Sequence, residues 1–178
     1  MKYALVTGGS RGIGRAVCLA LADMGYPVII NYLSNVAKAQ ETKALVEEKG
    51  GTAELMPFDV ADGEAVDRAL LQWETEHPND IIEVLVNNAG IRKDNLMVFM
   101  DNQDWHQIIN LHLHGFFYVT RRLLKNMLTN RYGRIVNVVS LSGIKGLPGQ
   151  TNYSAAKAGI IGATKALAQE VARKKVTV

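Results

Sequence analysis

The most constraining feature of the sequence is a glycine-rich segment close to its N-terminus. It reads Thr-Gly-Gly-Ser-Arg-Gly-Ile-Gly over residues 7–14 and follows a short apolar run over residues 3–7. The residues after it carry apolar side chains at helical spacing, so the glycines join a buried strand to a helix. Glycine lets the backbone turn sharply, and the free N–H groups of a helix N-terminus attract phosphate. This context favours a phosphate-binding loop over a glycine-rich turn without a ligand.

Strand and helix patterns alternate along the rest of the chain. We predict strands over residues 3–7, 28–31, 52–58, 83–87 and 133–139, with the first residues of a sixth at 176–178. We predict helices from 13 to 24, 36 to 49, after an Asp62 N-cap, 101 to 128 and 152 to 174. Repeated strand–helix–strand units imply a parallel sheet with helices on both faces. The predicted fold class is α/β, a Rossmann-type doubly wound sheet in three layers.

The length of the chain favours one domain over two. Its 178 residues suffice for one sizeable core. We expect a single dinucleotide-binding domain over residues 1–178 that also carries the catalytic residues. A doubly wound sheet needs a complete sixth strand, and this sequence stops three residues into the expected one. We therefore expect the sequence to be part of a longer chain, without its C-terminal strands and substrate lid.

Composition excludes several other classes of protein. Apolar residues make up 48% and charged residues 21%, which excludes disorder for most of the chain. The net charge of +3 is spread over scattered basic residues, which is not the pattern of a nucleic-acid-binding surface. A single cysteine, Cys18, excludes internal disulfides and a cysteine-rich zinc site, and we expect no metal. Without a signal peptide or an apolar membrane span, we expect a soluble, cytoplasmic protein.

The residues after the second strand bear on the choice of nicotinamide cofactor. Proteins that bind NAD usually carry an acidic residue there, which holds the ribose hydroxyls. This chain has Asn31 and Tyr32 instead, so no carboxylate would repel a 2′-phosphate. Arg11, in the glycine-rich loop, could pair with that phosphate, although it could also be a solvated loop residue. The pattern favours NADP(H).

Tyr153 and Lys157 form a candidate catalytic pair. They lie four residues apart near the start of the last predicted helix, so they share a face of it. A nearby ammonium favours the phenolate form of a tyrosine. Such a phenol can give a proton to a carbonyl oxygen or take one from an alcohol. This spacing alone is a weak signal, because surface pairs of this kind arise by chance.

Further polar residues follow the predicted fourth and fifth strands, at the edge where open α/β sheets bind ligands. Ser140 could hydrogen-bond a substrate oxygen, or it could be a turn residue with Ser142 in that role. The segment Asn87-Asn88-Ala89-Gly90 ends the fourth strand. Asn110 lies inside the long predicted helix, where an amide is unfavourable unless it has a partner.

Six segments occur in an order that characterises one protein family. They are the Thr-Gly-x-x-x-Gly-x-Gly segment, Asp59-Val60, Asn87-Asn88-Ala89-Gly90, Asn110, Ser140 and Tyr153-Ser154-Ala155-Ala156-Lys157. Together they resemble the short-chain dehydrogenase/reductase family over the whole chain. The thirteen residues from Ser140 to Tyr153 match the spacing in that family. One departure is Leu33, where the family commonly has a basic residue.

The resemblance implies a role for each matching residue. It implies that Tyr153 is the general acid/base, and that Lys157 lowers the pKa of Tyr153 and holds the nicotinamide ribose. It also implies that Ser140 orients the carbonyl of the substrate and that Asn110 holds a water molecule that relays protons. The implied catalytic residues are Asn110, Ser140, Tyr153 and Lys157. The implied cofactor-binding residues are Gly8, Ser10, Arg11, Gly12, Ile13, Gly14, Asn31, Asp59, Val60, Asn87, Ala89, Gly90, Tyr153 and Lys157.

Within the family, the resemblance is greatest to the 3-oxoacyl-[acyl-carrier-protein] reductases. It implies NADPH-dependent reduction of a 3-oxoacyl thioester, carried on acyl carrier protein or coenzyme A, in a homotetramer. Basic residues near the cleft would then dock the acidic carrier, with Arg92, Lys93, Arg121 and Arg122 as candidates. The alternatives are a reductase or dehydrogenase of a sugar, steroid or small alcohol, and a non-catalytic nucleotide-binding scaffold.

Four other residues, two histidines and two tryptophans, are not expected to take part in binding or catalysis. His112 and His114 are two residues apart on a helix, so they point to different sides and cannot form a simple ligand pair. We expect each to face the packed interior or solvent. Trp73 and Trp105 lie on helical faces, where packing or an interface is the better interpretation.

Overall fold

One parallel sheet of six strands organises the computed structural model, which describes residues 1–178. The strands are β1 (Lys2–Val6), β2 (Val28–Tyr32), β3 (Ala53–Pro57), β4 (Ile81–Asn87), β5 (Gly133–Asn137) and β6 (Val176–Thr177). Their order across the sheet is β3-β2-β1-β4-β5-β6, and every neighbouring pair is parallel. The α/β, doubly wound fold predicted from the sequence is confirmed.

The helices cover both faces of the sheet. They are α1 (Gly12–Asp23), α2 (Val36–Glu48), α3 (Gly63–Glu76), α4 (Asn102–Ile109), α5 (Gly115–Asn130), α6 (Ser142–Lys145) and α7 (Thr151–Val171). A π-helical turn, Asn110–His114, joins α4 to α5 within the predicted long helix. The Asp62 side chain caps α3 as predicted. The short α6 and a 3₁₀ turn at Met97–Phe99 were not predicted, because so few residues show no periodicity.

Two clusters of apolar side chains form the core, one on each face of the sheet. Successive residues of β1 alternate between them, so Leu5 joins one cluster and Val6 the other. Trp73 packs edge-on against Tyr3 with 5.1 Å between ring centroids, as its expected packing role requires. Cys18 is fully buried in the second cluster, and burial raises the pKa of its thiol to about 12. No helix combines the length and apolarity needed to cross a membrane.

The strand order reverses between β1 and β4, and Thr7 holds the two strand ends together there. Its hydroxyl oxygen accepts hydrogen bonds from the N–H groups of Asn88, at 2.9 Å, and Ala89, at 3.0 Å. The same hydroxyl donates to the carbonyl of Val86 at 3.3 Å. Open α/β sheets bind ligands at such a switch point, so Thr7 fixes the edge of the cleft.

We expect Thr7→Val to destabilise the fold by about 1 to 3 kcal/mol, because it leaves two partly buried N–H groups without an acceptor. Thr75→Val is the control, since the Thr75 hydroxyl bonds only the carbonyl of Leu71 at an exposed helix position. We expect that change to stay within about 0.5 kcal/mol. Urea unfolding of both variants tests this, and equal losses would contradict the role of Thr7.

Candidate active site

A cleft of about 910 Å³ runs along the carboxyl edge of the sheet. The loops after the first five strands and the start of α7 line it. The charged side chains in its wall are three cations, Arg11, Arg92 and Lys157, and one carboxylate, Asp59. This charge balance suits an anionic ligand.

The glycine-rich loop forms one end of the cleft with an exposed backbone. Gly12 has a φ of 56°, a left-handed backbone conformation that favours glycine. Apart from its chain neighbours and its own helix, no atom lies within 4 Å of the position that a Cβ would take. A Cβ on Gly14 would lie 2.2 Å from the carbonyl oxygen of Gly8, so the loop cannot close around any larger residue. No side chain caps the N-terminus of α1, which leaves its first N–H groups open to the cleft. These features fit a bound pyrophosphate.

Asn31 lines the cleft, but its side chain is committed to the fold. Its amide oxygen accepts from the N–H of Gly8 at 3.2 Å, and its amide nitrogen donates to the carbonyls of Met56 and Phe58. Asn31 therefore holds the glycine-rich loop against the end of β3. Asp59 and Val60 also line the cleft, and the Asp59 carboxylate accepts from the N–H of Ala61 at 2.8 Å.

The residues after β4 separate into two groups. Ala89 and Gly90 line the cleft as predicted. Asn87 does not line it, because its amide nitrogen donates to Thr120 at 3.0 Å and to Asn137 at 2.9 Å. Asn87 thus links β4 to α5 and β5, and such cross-element hydrogen bonds leave no signal in a single sequence.

Tyr153 and Lys157 occupy the first turns of α7 and both face the cleft. The Lys157 ammonium lies 5.6 Å from the centroid of the Tyr153 ring and donates to the carbonyl of Val138 at 2.7 Å. Lys157 is buried without an acidic partner, and this burial lowers its pKa from 10.5 to about 8. No carboxylate neutralises the ammonium that lies beside the Tyr153 ring.

The structure distinguishes the two candidate serines. Ser140 lines the cleft together with Tyr153 and Lys157. Ser142 is buried outside it, and its hydroxyl donates to the side-chain oxygen of Gln150 at 2.7 Å. The Ser140 hydroxyl donates to the Ser142 hydroxyl oxygen at 3.1 Å, and its own oxygen accepts from the N–H of Ser142 at 3.2 Å, so both contacts orient it.

Asn110 is not brought to the other predicted catalytic residues. It is exposed and lies outside the lining of the cleft, whereas His112 is buried and lines it. The family resemblance implies a catalytic Asn110, but the phase of the helix brings His112 to the cleft instead. Ile108, Gly115 and Val119 are buried on the same helix, and His112 continues their stripe. His114, two residues on, is exposed, so the two histidines do point to different sides.

A sequence model of the family described as short chain dehydrogenase matches residues 2–178. The chain belongs to the short-chain dehydrogenase family. Membership implies oxidoreductase chemistry with a nicotinamide cofactor.

Three curated relatives show where the chain lies within the short-chain dehydrogenases. It is 46% identical to a 3-oxoacyl-[acyl-carrier-protein] reductase of Synechocystis, covering 99% of this chain and 71% of the relative. It is 42% identical to a protein of that name from Staphylococcus epidermidis, covering 99% of this chain and 72% of the relative. It is 44% identical to an acetoacetyl-CoA reductase of Rhizobium meliloti, covering 99% of this chain and 70% of the relative.

The lowered pKa of Lys157 predicts a pH-dependent cost to stability. Below about pH 8 the folded state must hold a buried charge, and above 10.5 both folded and unfolded states are neutral at this group. We therefore expect Lys157→Met to gain stability relative to the parent chain as pH falls from 10 to 7, by about 2 kcal/mol.

Chemical unfolding at several pH values measures this difference. Lys165→Met, on the exposed side of the same helix, is the control, and its difference from the parent should not vary with pH. A constant difference for Lys157→Met would show that the buried ammonium carries no such cost.

Proposed function

We propose that this chain catalyses NADPH-dependent reduction of a 3-oxoacyl thioester to the 3-hydroxyacyl thioester. The observation that carries the proposal is that Ser140, Tyr153 and Lys157 all line the cleft that begins at the open glycine-rich loop. The names of the relatives from Synechocystis and Rhizobium meliloti support the substrate class, since both describe reduction of a 3-oxoacyl thioester.

The protein side of the reaction is a proton transfer in a positioned site. The bound cofactor supplies the hydride to the carbonyl carbon. The Tyr153 phenol gives a proton to the carbonyl oxygen, and the Lys157 ammonium stabilises the tyrosinate that this leaves. The Ser140 hydroxyl, which donates to Ser142 in the structure, rotates to donate to the same oxygen as negative charge develops on it.

The cofactor residues divide into those that touch the ligand and those that hold the loops. We assign the phosphates to the glycine-rich loop, adenine to Asp59 and Val60, and the nicotinamide end to Ala89, Gly90 and Lys157. The loop contacts come from Gly8, Ser10, Arg11, Gly12, Ile13 and Gly14. Asn31 and Asn87 act by fixing the loops, as their hydrogen bonds require.

The adenosine end of the cleft supports NADP(H) as the cofactor. Residues 31–35 line it without a carboxylate, and Arg11 is exposed beside them. The guanidinium can pair with a 2′-phosphate in a bidentate manner. Leu33 supplies no second positive charge, so Arg11 carries the preference.

Of the four basic residues considered for docking a carrier protein, Arg92 is the best placed. It lines the cleft, and its only ion pair is a long one of 3.7 Å to Asp94. Arg122 is bound to Glu74, and Lys93 is bound to Asp104. Arg121 lies over the Phe117 ring.

We also propose a cytoplasmic homotetramer in which residues 102–130 and α7 pair with those of a neighbouring chain.

Replacement of the Tyr153 hydroxyl tests the proposed chemistry. We expect Tyr153→Phe to lower kcat for a 3-oxoacyl thioester by about 10² to 10⁴-fold, because the proton donor is lost. NADPH affinity should change little. Tyr118→Phe, outside the cleft, is the control and should keep full activity. Activity in Tyr153→Phe would contradict the proposal, and turnover of a sugar or steroid ketone instead would reassign the substrate.

Replacement of Arg11 tests the proposed cofactor preference. We expect Arg11→Ala to raise the Kd for NADPH by about tenfold or more, through loss of one charged hydrogen-bonding partner. The Kd for NADH should stay the same, and Arg173→Ala, at an exposed site far along the chain, should alter neither. Fluorescence titration of both nucleotides measures this. Equal effects on both would mean that Arg11 does not recognise the 2′-phosphate.

A further inference from the structure

His112 is a buried titratable side chain that the proposed reaction leaves without a role. It is only 3% exposed and sits in the π-helical turn between α4 and α5. A Cβ on Gly90 would lie 2.4 Å from its Cε1, so a glycine at position 90 makes room for this ring. Its ring meets that of Tyr153 edge-on, with 5.2 Å between centroids.

The hydrogen bonding of His112 defines which nitrogen carries the proton. Nε2 lies 2.8 Å from the carbonyl oxygen of Ile91. Because a carbonyl can only accept, Nε2 must be the donor. Burial, reinforced by the charge of Lys157, lowers the pKa of His112 to about 4. The ring is therefore uncharged near neutral pH, and Nδ1 carries a lone pair.

The lone pair on Nδ1 can accept a hydrogen bond, but no protein group donates one to it. Nδ1 is buried and has no hydrogen-bond partner within the protein. A buried polar atom of this kind is usually satisfied by ordered water. His112 and Lys157 both line a small cavity of about 10 Å³, with Thr7 and Asn87 also in its wall. Its size suits about one water molecule.

Lys157, in the wall of the same cavity, can supply the donor. Its ammonium has three N–H groups, of which one is directed at the carbonyl of Val138. We propose that His112 is a positioning residue, whose Nδ1 accepts a hydrogen bond from Lys157 through one water while its ring supports Tyr153. The contact orients the ammonium and adds no second charge to the site. The effect of this contact on kcat rests on the proposed function, whereas the contact itself does not.

Imidazole ¹⁵N NMR of the chain tests the geometry without any turnover. We expect the spectrum of the Nε2–H form, with Nδ1 unprotonated near neutral pH. Lys157→Met should shift the Nδ1 resonance of His112, and the matched change Lys165→Met should not. An Nδ1–H spectrum, or an Nδ1 resonance that ignores the loss of Lys157, would overturn the proposal.

Kinetics of two substitutions separate positioning from mere packing. His112→Asn keeps one donor and one acceptor, whereas His112→Phe keeps the ring and loses both nitrogens. We expect His112→Phe to lower kcat by about tenfold or more with little change in the KM for NADPH, and His112→Asn to restore most of kcat. His114→Phe, on the exposed side, should match the parent chain.

The two sets of results have distinct meanings. Full kcat in His112→Phe, or equal losses in both His112 variants, would overturn the positioning role. If the parent chain reduces no 3-oxoacyl thioester, the proposed function fails, and the NMR spectra alone decide whether His112 and Lys157 are connected.

Discussion

The cleft depends on the close approach of two backbone segments where the strand order reverses. Asn88 holds them together, because its amide nitrogen donates to the carbonyls of Thr7 and Gly8. A Cβ on Gly14 would lie 2.6 Å from that nitrogen, so the contact requires glycine at the start of α1. Asn31 fixes the same loop from the opposite side. The open N–H groups of the loop are therefore oriented by partly buried hydrogen bonds before any ligand binds, which reduces the entropic cost of binding.

At the other end of the cleft, the buried Lys157 ammonium that we assign to the reaction also destabilises the fold. Lys157 is buried among uncharged groups, with no carboxylate to offset the loss of solvent. A salt bridge would stabilise the charge, but it would also compete for the ammonium to which we assign a role beside Tyr153. The carbonyl of Val138 holds the ammonium without neutralising it. His112 serves the same end, since an uncharged ring can accept a hydrogen bond and cannot form an ion pair.

Much of this arrangement could be predicted from the sequence, because it follows from local patterns. Apolar runs and the glycine-rich segment predicted the sheet, and the end of β5 placed Ser140 at the ligand edge. Hydrogen bonds between distant elements could not be predicted in this way. Asn31 and Asn87 resemble ligand contacts in sequence, but their amides are used by carbonyls and hydroxyls on other strands and helices. Asn110 was chosen by motif, although the buried stripe through Ile108 and Gly115 favoured His112.

The central claim is that one cleft holds a nicotinamide cofactor with its reactive end at Tyr153 and Lys157. A crystal structure of the chain with NADP⁺ tests it most directly. We predict the pyrophosphate on the N–H groups of residues 12–14, the 2′-phosphate beside Arg11 and the nicotinamide ribose within hydrogen-bonding distance of Lys157. A nucleotide bound elsewhere, or one whose nicotinamide lies away from Lys157 and Tyr153, would contradict this account.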